Sequence, residues 1–278
     1  KQAFATVLGI VLMLFVAGMD YHIWQRLAVF GYLAAVALSV AVMLFGREIN
    51  GSKRWLALGP FSFQPSEFAK VALILFLADL VTKNVKTIGK MWTLCRIMFW
   101  ILPIVGLVGA SNLSTAIIIL GIGVILIFVA SPKYAQFALM GIAGACFMGI
   151  FLALESYRLE RLAIWRNPEK YEKGYQTLQG LYAIGSGGVF GVGIGNSVQK
   201  LGFVPEAQND MIFSIICEEL GLAGAGIIVF LFLLLIWRFF LIASGSRDLF
   251  GALIATGAMA RPMAGITRTA VVLLFTMP

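Results

Sequence analysis

The sequence predicts an all-α membrane protein, a polytopic helical bundle, and three observations carry that prediction. Hydrophobic residues make up 60% of the 278 positions and charged residues only 12%, a balance foreign to soluble domains. Mean hydropathy is +0.95. Apolar runs recur along the chain at lengths near the roughly 20 residues a helix needs to cross the hydrocarbon core. Lipid leaves no partner for an open backbone, so such runs are helices packed in one bundle. A β-barrel would instead show alternating segments of about ten residues.

The elements follow in order. Apolar runs at 3–19 and 27–45 are separated by the short polar loop 20–26, which holds the lone histidine, His22. A longer loop, 46–66, carries Arg47, Lys53 and Arg54 with Trp55 between glycine-containing turns. The run 68–81 is short and follows Pro65-Ser66-Glu67, a helix start signal with an acid in the first turn. Asp79, near the far end of that run, reads as a carboxylate snorkelling to the interface. The run 97–110 is also short, 115–130 and 137–154 are fuller, and 220–243 and 249–260 complete about eight spans.

Loop charge divides these connections into two faces. The short loops 20–26, 82–96, 131–136 and 237–248 hold Arg26, Lys83, Lys86, Lys90, Arg96, Lys133, Arg238 and Arg247, against the acids Asp20 and Asp248. The positive-inside rule favours that group as cytoplasmic. The net charge of +8 therefore reads as membrane anchoring, and nucleic acid is not an expected partner. Cys95, Cys146 and Cys217 lie in or beside apolar runs and form neither a disulfide framework nor a metal spacing.

The segment 155–219 stands apart. It holds Glu155, Glu160, Glu169, Glu172, Glu206, Asp210, Glu218 and Glu219, eight of the 13 acids in the chain. Arg158, Arg161 and Trp165 share one face of a helix suited to lying in the interface. The glycine-rich run 185–195 lacks the Gly-Lys-Ser/Thr ending of a phosphate loop. It reads first as a tight re-entrant or surface loop using positive φ, and second as backbone lying close to a ligand.

Three sets of residues are candidates for chemistry. Asp210 precedes Met211-Ile212-Phe213 at re-entry into lipid. Partial desolvation there suits a general base, and an aspartate at that position equally suits a helix N-cap. Glu218 and Glu219, two turns on, have the chemistry to cap, to pair with a base or to help hold a cation. Glu67 and Lys70 stand at i, i+3, close enough to pair, either as a structural ion pair at a helix end or as a cation poised over a polar cavity. Lys53 and Arg54 beside Trp55 make an interfacial anchor, or a clamp for a lipid headgroup or diphosphate.

Taken together, several stretches resemble the SEDS family (shape, elongation, division and sporulation), which includes FtsW, RodA and SpoVE. They are Gly51-Ser52-Lys53-Arg54-Trp55-Leu56, Gln64-Pro65-Ser66-Glu67-Phe68-Ala69-Lys70, Asn112-Leu113-Ser114-Thr115-Ala116, Gly185-Ser186-Gly187-Gly188, Pro205-Glu206 with Asp210-Met211-Ile212-Phe213, and Glu218-Glu219-Leu220-Gly221. The stretch 195–200 is more similar to the FtsW-like branch than to RodA.

The resemblance implies a ten-helix fold with a large extracellular loop before the eighth helix. It implies a peptidoglycan glycosyltransferase polymerising lipid II at the outer face of the bacterial cytoplasmic (inner) membrane, in cell division or cell-wall synthesis. The family's essential aspartate corresponds to Asp210, its Glu/Lys pair to Glu67 and Lys70, and its loop arginine to Arg54, with Lys53 beside it. Implied partners are lipid II, the undecaprenyl diphosphate product, a class B penicillin-binding protein as transpeptidase, and proteins of the division or elongation complex. No cofactor is certain; a divalent cation, Mg or Mn, is compatible with the chemistry, and no metal ligands are assigned.

Residues 1–260 are expected to form the transmembrane domain without the family's first helix, with 155–219 as its large loop. The tail 261–278 is expected to depart from the family, lacking its last extracellular loop and tenth helix. Asn112 stands where many members carry Asp, and receives no catalytic role. Two readings from other classes compete with the polymerase: a lipid II flippase or transporter, and a non-catalytic division scaffold.

Overall fold

A computed structural model of the chain describes residues 2–49, 52–58, 61–131, 133, 135–137, 141, 164, 167–171, 174–205, 207 and 211–274. The chain forms two compact units, one of residues 1–134 and 239–261, the other of residues 135–238 and 262–278. The expected span at 137–154 and the basic face of Arg158, Arg161 and Trp165 lie outside the described residues.

The first unit contains α1 (Gln2–Ala17), α2 (His22–Phe45), α3 (Pro65–Lys83), α4 (Met91–Ser111) and α5 (Leu113–Ala130). Most of these extend the apolar runs by several residues, because polar ends complement a helix without needing lipid. Pro65 opens α3, Glu67 sits in its first turn and Lys83 in its last, matching the helix dipole at both ends. Among the described residues, α2, α4, α5 and a later helix at Ile212–Ser244 are long and apolar enough to cross a membrane. Shorter apolar stretches lie at Thr6–Ala17 and Leu249–Ala260.

Helices α2, α3 and α4 meet at an aromatic cluster. Tyr32 stacks on Phe76 with centroids 4.3 Å apart, and Trp100 meets both rings edge-on at 5.9 Å. The Tyr32 hydroxyl donates to the Trp100 carbonyl at 2.8 Å, so this polar tip is satisfied within the cluster. At one end of the bundle Gln25 donates to Asp79 at 3.0 Å, and Lys83 reaches the same carboxylate at 2.7 Å. Asp79 is 3% exposed. The snorkelling expected of it does not occur, because an amide on the neighbouring helix supplies an inward hydrogen bond.

Between α2 and α3 the chain forms three short strands, β1 (Arg47–Ile49), β2 (Ser52–Leu58) and β3 (Phe61–Phe63). They pair antiparallel in the order β1-β2-β3, with Glu48 opposite Lys53 and Leu56 opposite Phe63. Sequence pattern marked this stretch only as a loop with turns, since strands this short carry too little alternation to register. Its effect is to hold Arg54 at the end of the bundle where α3 and α5 begin.

The second unit contains α6 (Tyr175–Gly187), most of α7 (Ile212–Ser244) and the end of α8 (Leu249–Leu274), whose first half belongs to the first unit. Helix α8 continues through Pro262 into the stretch read from sequence as an atypical tail. Helix α7 is broken at Gly221, where φ is 68° and ψ −172°. The glycine-rich loop after α6 closes the break. Val192 and Gly193 donate to the carbonyls of Glu218 and Glu219 at 2.9 and 3.0 Å. Leu222 and Ala223 donate in turn to the carbonyls of Gly188 and Val189 at 2.9 and 3.0 Å. Four backbone groups freed by the kink thus find strand-like partners, as a membrane helix interruption requires. The glycines allow a backbone to approach another backbone, where sequence had offered a turn or a ligand.

Candidate functional site

In the first unit, a small open cleft forms where β2 meets the end of α2, the start of α3, the end of α4 and the start of α5. Its polar lining consists of Ser39, Arg54, Gln64, Ser66, Ser111 and Asn112. Gln64 is the N-cap residue of α3, and Asn112 the N-cap residue of α5. The Asn112 side-chain oxygen accepts from the Thr115 N–H at 3.2 Å, which starts α5 in the usual manner. Both helices begin at the cleft and so bring the positive ends of their dipoles to it.

Arg54 supplies the charge. Its Nε donates to the Ser111 carbonyl at 3.1 Å, which fixes the guanidinium beside the cleft that Arg54 lines. Among the described residues that line it, none is acidic. Ser39 is committed elsewhere, its hydroxyl donating to the Ala35 carbonyl at 2.7 Å. The Ser66 hydroxyl is buried without a hydrogen-bond partner. Sequence marked Ser66 as part of a helix start and missed its place in the wall; the short side chain carries no signal of that role.

Glu67 and Lys70 occupy the next turn of α3. Lys70 Nζ meets Glu67 Oε1 at 2.7 Å, the pair expected from their spacing. Lys70 is largely enclosed, at 12% side-chain exposure, and Glu67 half open, at 49%. Burying the ammonium stem while a carboxylate meets its head is how a lysine is held near lipid at low cost. Lys53 lies beside Arg54 on β2, in register with Glu48. Asp210 lies outside the described residues.

In the second unit Glu218 and Glu219 hold the loop that closes the break in α7. The buried Glu218 carboxylate accepts from the Ser197 hydroxyl at 2.5 Å and from the Val198 N–H at 3.1 Å. Glu219 pairs with Lys200 at 2.6 Å, and Lys200 also donates to the Gly195 carbonyl at 2.7 Å. Of the roles open from sequence, pairing and local bonding are what these two carboxylates do. Among the described residues no group of three or more His, Cys, Asp and Glu side chains converges as metal ligands.

A family model described as "Cell cycle protein" and covering FtsW, RodA and SpoVE matches residues 1–265. The chain belongs to the FtsW/RodA/SpoVE family. Stage V sporulation protein E of Bacillus subtilis is 36% identical over 270 residues, which span 92% of this chain and 72% of that protein. The probable peptidoglycan glycosyltransferase FtsW of Thioalkalivibrio sulfidiphilus is 36% identical over 275 residues, covering 92% of this chain and 66% of the relative. Among solved structures, a chain of a peptidoglycan synthase complex that coordinates polymerization and crosslinking matches with a TM-score of 0.80 and 27% identity, over 99% of this chain and 77% of that one. RodA of Thermus thermophilus matches at 0.68 and 26% identity, over 98% and 75% of the two chains. As a member of the FtsW/RodA/SpoVE family with several apolar spans, the chain is a multi-pass membrane protein.

Proposed function

We propose that this chain is a peptidoglycan glycosyltransferase that polymerises lipid II at the outer face of the bacterial cytoplasmic membrane. The observation that carries the reading is the cleft around Arg54: a guanidinium held by a backbone carbonyl, two helix N-termini and, among the described residues, no lining carboxylate. Such a lining suits the diphosphate of a lipid-linked sugar. Family membership and relatives named as glycosyltransferases supply the reaction class.

In the reaction, Asp210 acts as general base and takes the proton of the acceptor sugar's 4-hydroxyl. The freed oxygen attacks the anomeric carbon of the donor glycan. The bond from that carbon to the diphosphate oxygen breaks, and undecaprenyl diphosphate leaves with the electron pair. Arg54, Lys53 and Lys70 stabilise the charge that develops on the diphosphate, while Glu67 holds the Lys70 ammonium in place. One base suffices, because a diphosphate leaves as an anion and needs neutralisation rather than protonation.

A class B penicillin-binding protein is the proposed partner that crosslinks the strands, in a division or elongation complex; similarity to a chain of a peptidoglycan synthase complex supports this. The test of the enzyme reading is Asp210→Asn in purified, folded protein supplied with lipid II. Loss of glycan strands with lipid II binding retained is expected. Undiminished polymerisation would overturn the assignment, and wild-type protein that moves lipid II across vesicles without making strands would favour a flippase.

A further inference from the structure

We propose that Ser66 contacts the substrate: its hydroxyl, with Arg54 and the N-termini of α3 and α5, forms a cradle for a phosphate group of the lipid-linked diphosphate. This deepens the polymerase reading and rests on it for the identity of the lipid, though not for the phosphate chemistry.

The argument begins with an unsatisfied group. Ser66 is 9% exposed, lines the cleft, and its Oγ lies buried with no hydrogen-bond partner. Buried hydroxyls in folded proteins are nearly always bonded, and an orphan at the wall of a cleft points to a partner that arrives with a ligand. Rotation about a single bond redirects this hydroxyl. The second observation is the company it keeps. Ser66 stands in the first turn of α3 and lines the same cleft as the Asn112 cap of α5. The Asn112 amide oxygen is taken by Thr115, which leaves its NH2 as a further donor. Arg54 spends Nε on Ser111, so its terminal N–H groups are the remaining charged donors. Glu67, next along the chain, has Lys70 at 2.7 Å against its charge.

The lining is therefore rich in donors and carries positive charge from three sources: the guanidinium and two helix ends. A sugar hydroxyl needs acceptors as well as donors. A phosphate oxygen needs donors and positive charge, which is what the cleft offers. Serine has the reach of one hydrogen bond, so it positions one oxygen while Arg54 carries the charge.

The test measures binding without turnover. The full chain in phosphatidylcholine nanodiscs is titrated with undecaprenyl diphosphate, with inorganic pyrophosphate as competitor. Ser66→Ala is expected to weaken binding of the lipid roughly tenfold, the effect of losing one hydrogen bond to a charged group. Pyrophosphate is expected to compete in the wild type and to lose most of that competition in Ser66→Ala. Competition that survives unchanged would assign the hydroxyl to another part of the ligand and overturn the proposal.

Ser66→Thr provides a second variant that keeps the hydroxyl and is expected to bind the lipid within about threefold of the wild type. Undiminished binding in folded Ser66→Ala, or a loss in folded Ser66→Thr as large as in Ser66→Ala, overturns the cradle. A chain that binds undecaprenyl diphosphate through Ser66 yet never polymerises lipid II refutes the enzyme reading alone. A polymerase whose lipid binding is indifferent to Ser66→Ala refutes the cradle alone.

Discussion

Gly191→Ala tests the repair of the broken helix. Gly191 has φ +79°, and a Cβ built there falls 2.5 Å from the Glu219 carbonyl carbon and 2.6 Å from the Gly221 nitrogen. Both are backbone atoms, so no side chain can swing aside. The left-handed conformation alone costs an L-residue about 1–2 kcal/mol. Relieving the overlap moves the loop away from α7 and stretches the Val192–Glu218 and Gly193–Glu219 hydrogen bonds, now 2.9 and 3.0 Å. Each is worth about 0.5–1.5 kcal/mol net. The expected loss is about 2–5 kcal/mol in total. Reversible unfolding in detergent, followed by tryptophan fluorescence, reads the effect. Gly185→Ala is the control: that glycine lies in α6 with nothing within 4 Å of its Cβ, and alanine there should stabilise the helix by up to about 1 kcal/mol. If Gly191→Ala unfolds with the control, the loop does not close the break in α7 and the reasoning fails.

Two further outcomes follow from the opposite end of the first unit. Asp79→Ala removes the carboxylate that joins Gln25 of α2 to Lys83 of α3 and should lower stability by about 1.5–3 kcal/mol, read as a shift in the same unfolding curve; Asp79→Asn should lose less, because an amide still accepts from Gln25. The second concerns pH. Tyr21 donates to Asp248 at 2.5 Å, and that bond, then the Gly251 N–H, holds the Asp248 carboxyl below its ordinary 3.8 against a smaller opposing effect of burial. The same bond pushes the Tyr21 phenol above its ordinary 10.0. A depressed carboxyl contributes stability above its unfolded value that is lost as pH falls through the folded one; a raised phenol contributes below its unfolded value and loses that as pH rises through the folded one. The tie is thus complete between about pH 4 and 10 and fails outside that window. Tyr21→Phe should flatten the dependence of Tm on pH at both extremes, and superimposable wild-type and variant curves would contradict this.

Which parts of the protein were legible before folding depends on the range of the interaction. The Glu67–Lys70 pair was visible because i, i+3 on a helix is a local relation, and it forms at 2.7 Å. Asp79 was misread because its partner, Gln25, is 54 positions away. Hydropathy sees a charge near the end of a span and cannot see an amide on the neighbouring helix. The strands at 47–63 escaped for a different reason: two of them have only three residues. The cleft was half legible. Arg54 stood out by charge, whereas Ser66 matters only because its hydroxyl is left unpaired beside Arg54 once the helix ends assemble.

By itself the sequence determined the helical class, the places of most spans and the family. Hydrophobic length and ordered motifs are properties of the chain before it folds, and lipid admits few architectures that satisfy a backbone. Tertiary structure alone decided which polar groups meet. Arg54 reaches Ser111 across 57 positions, and the loop at 188–193 supplies the hydrogen bonds that the kink at Gly221 removes from α7. The reason is that an unpaired polar group in a membrane protein is costly wherever it arises, and only the fold determines which distant partner lies within reach to satisfy it.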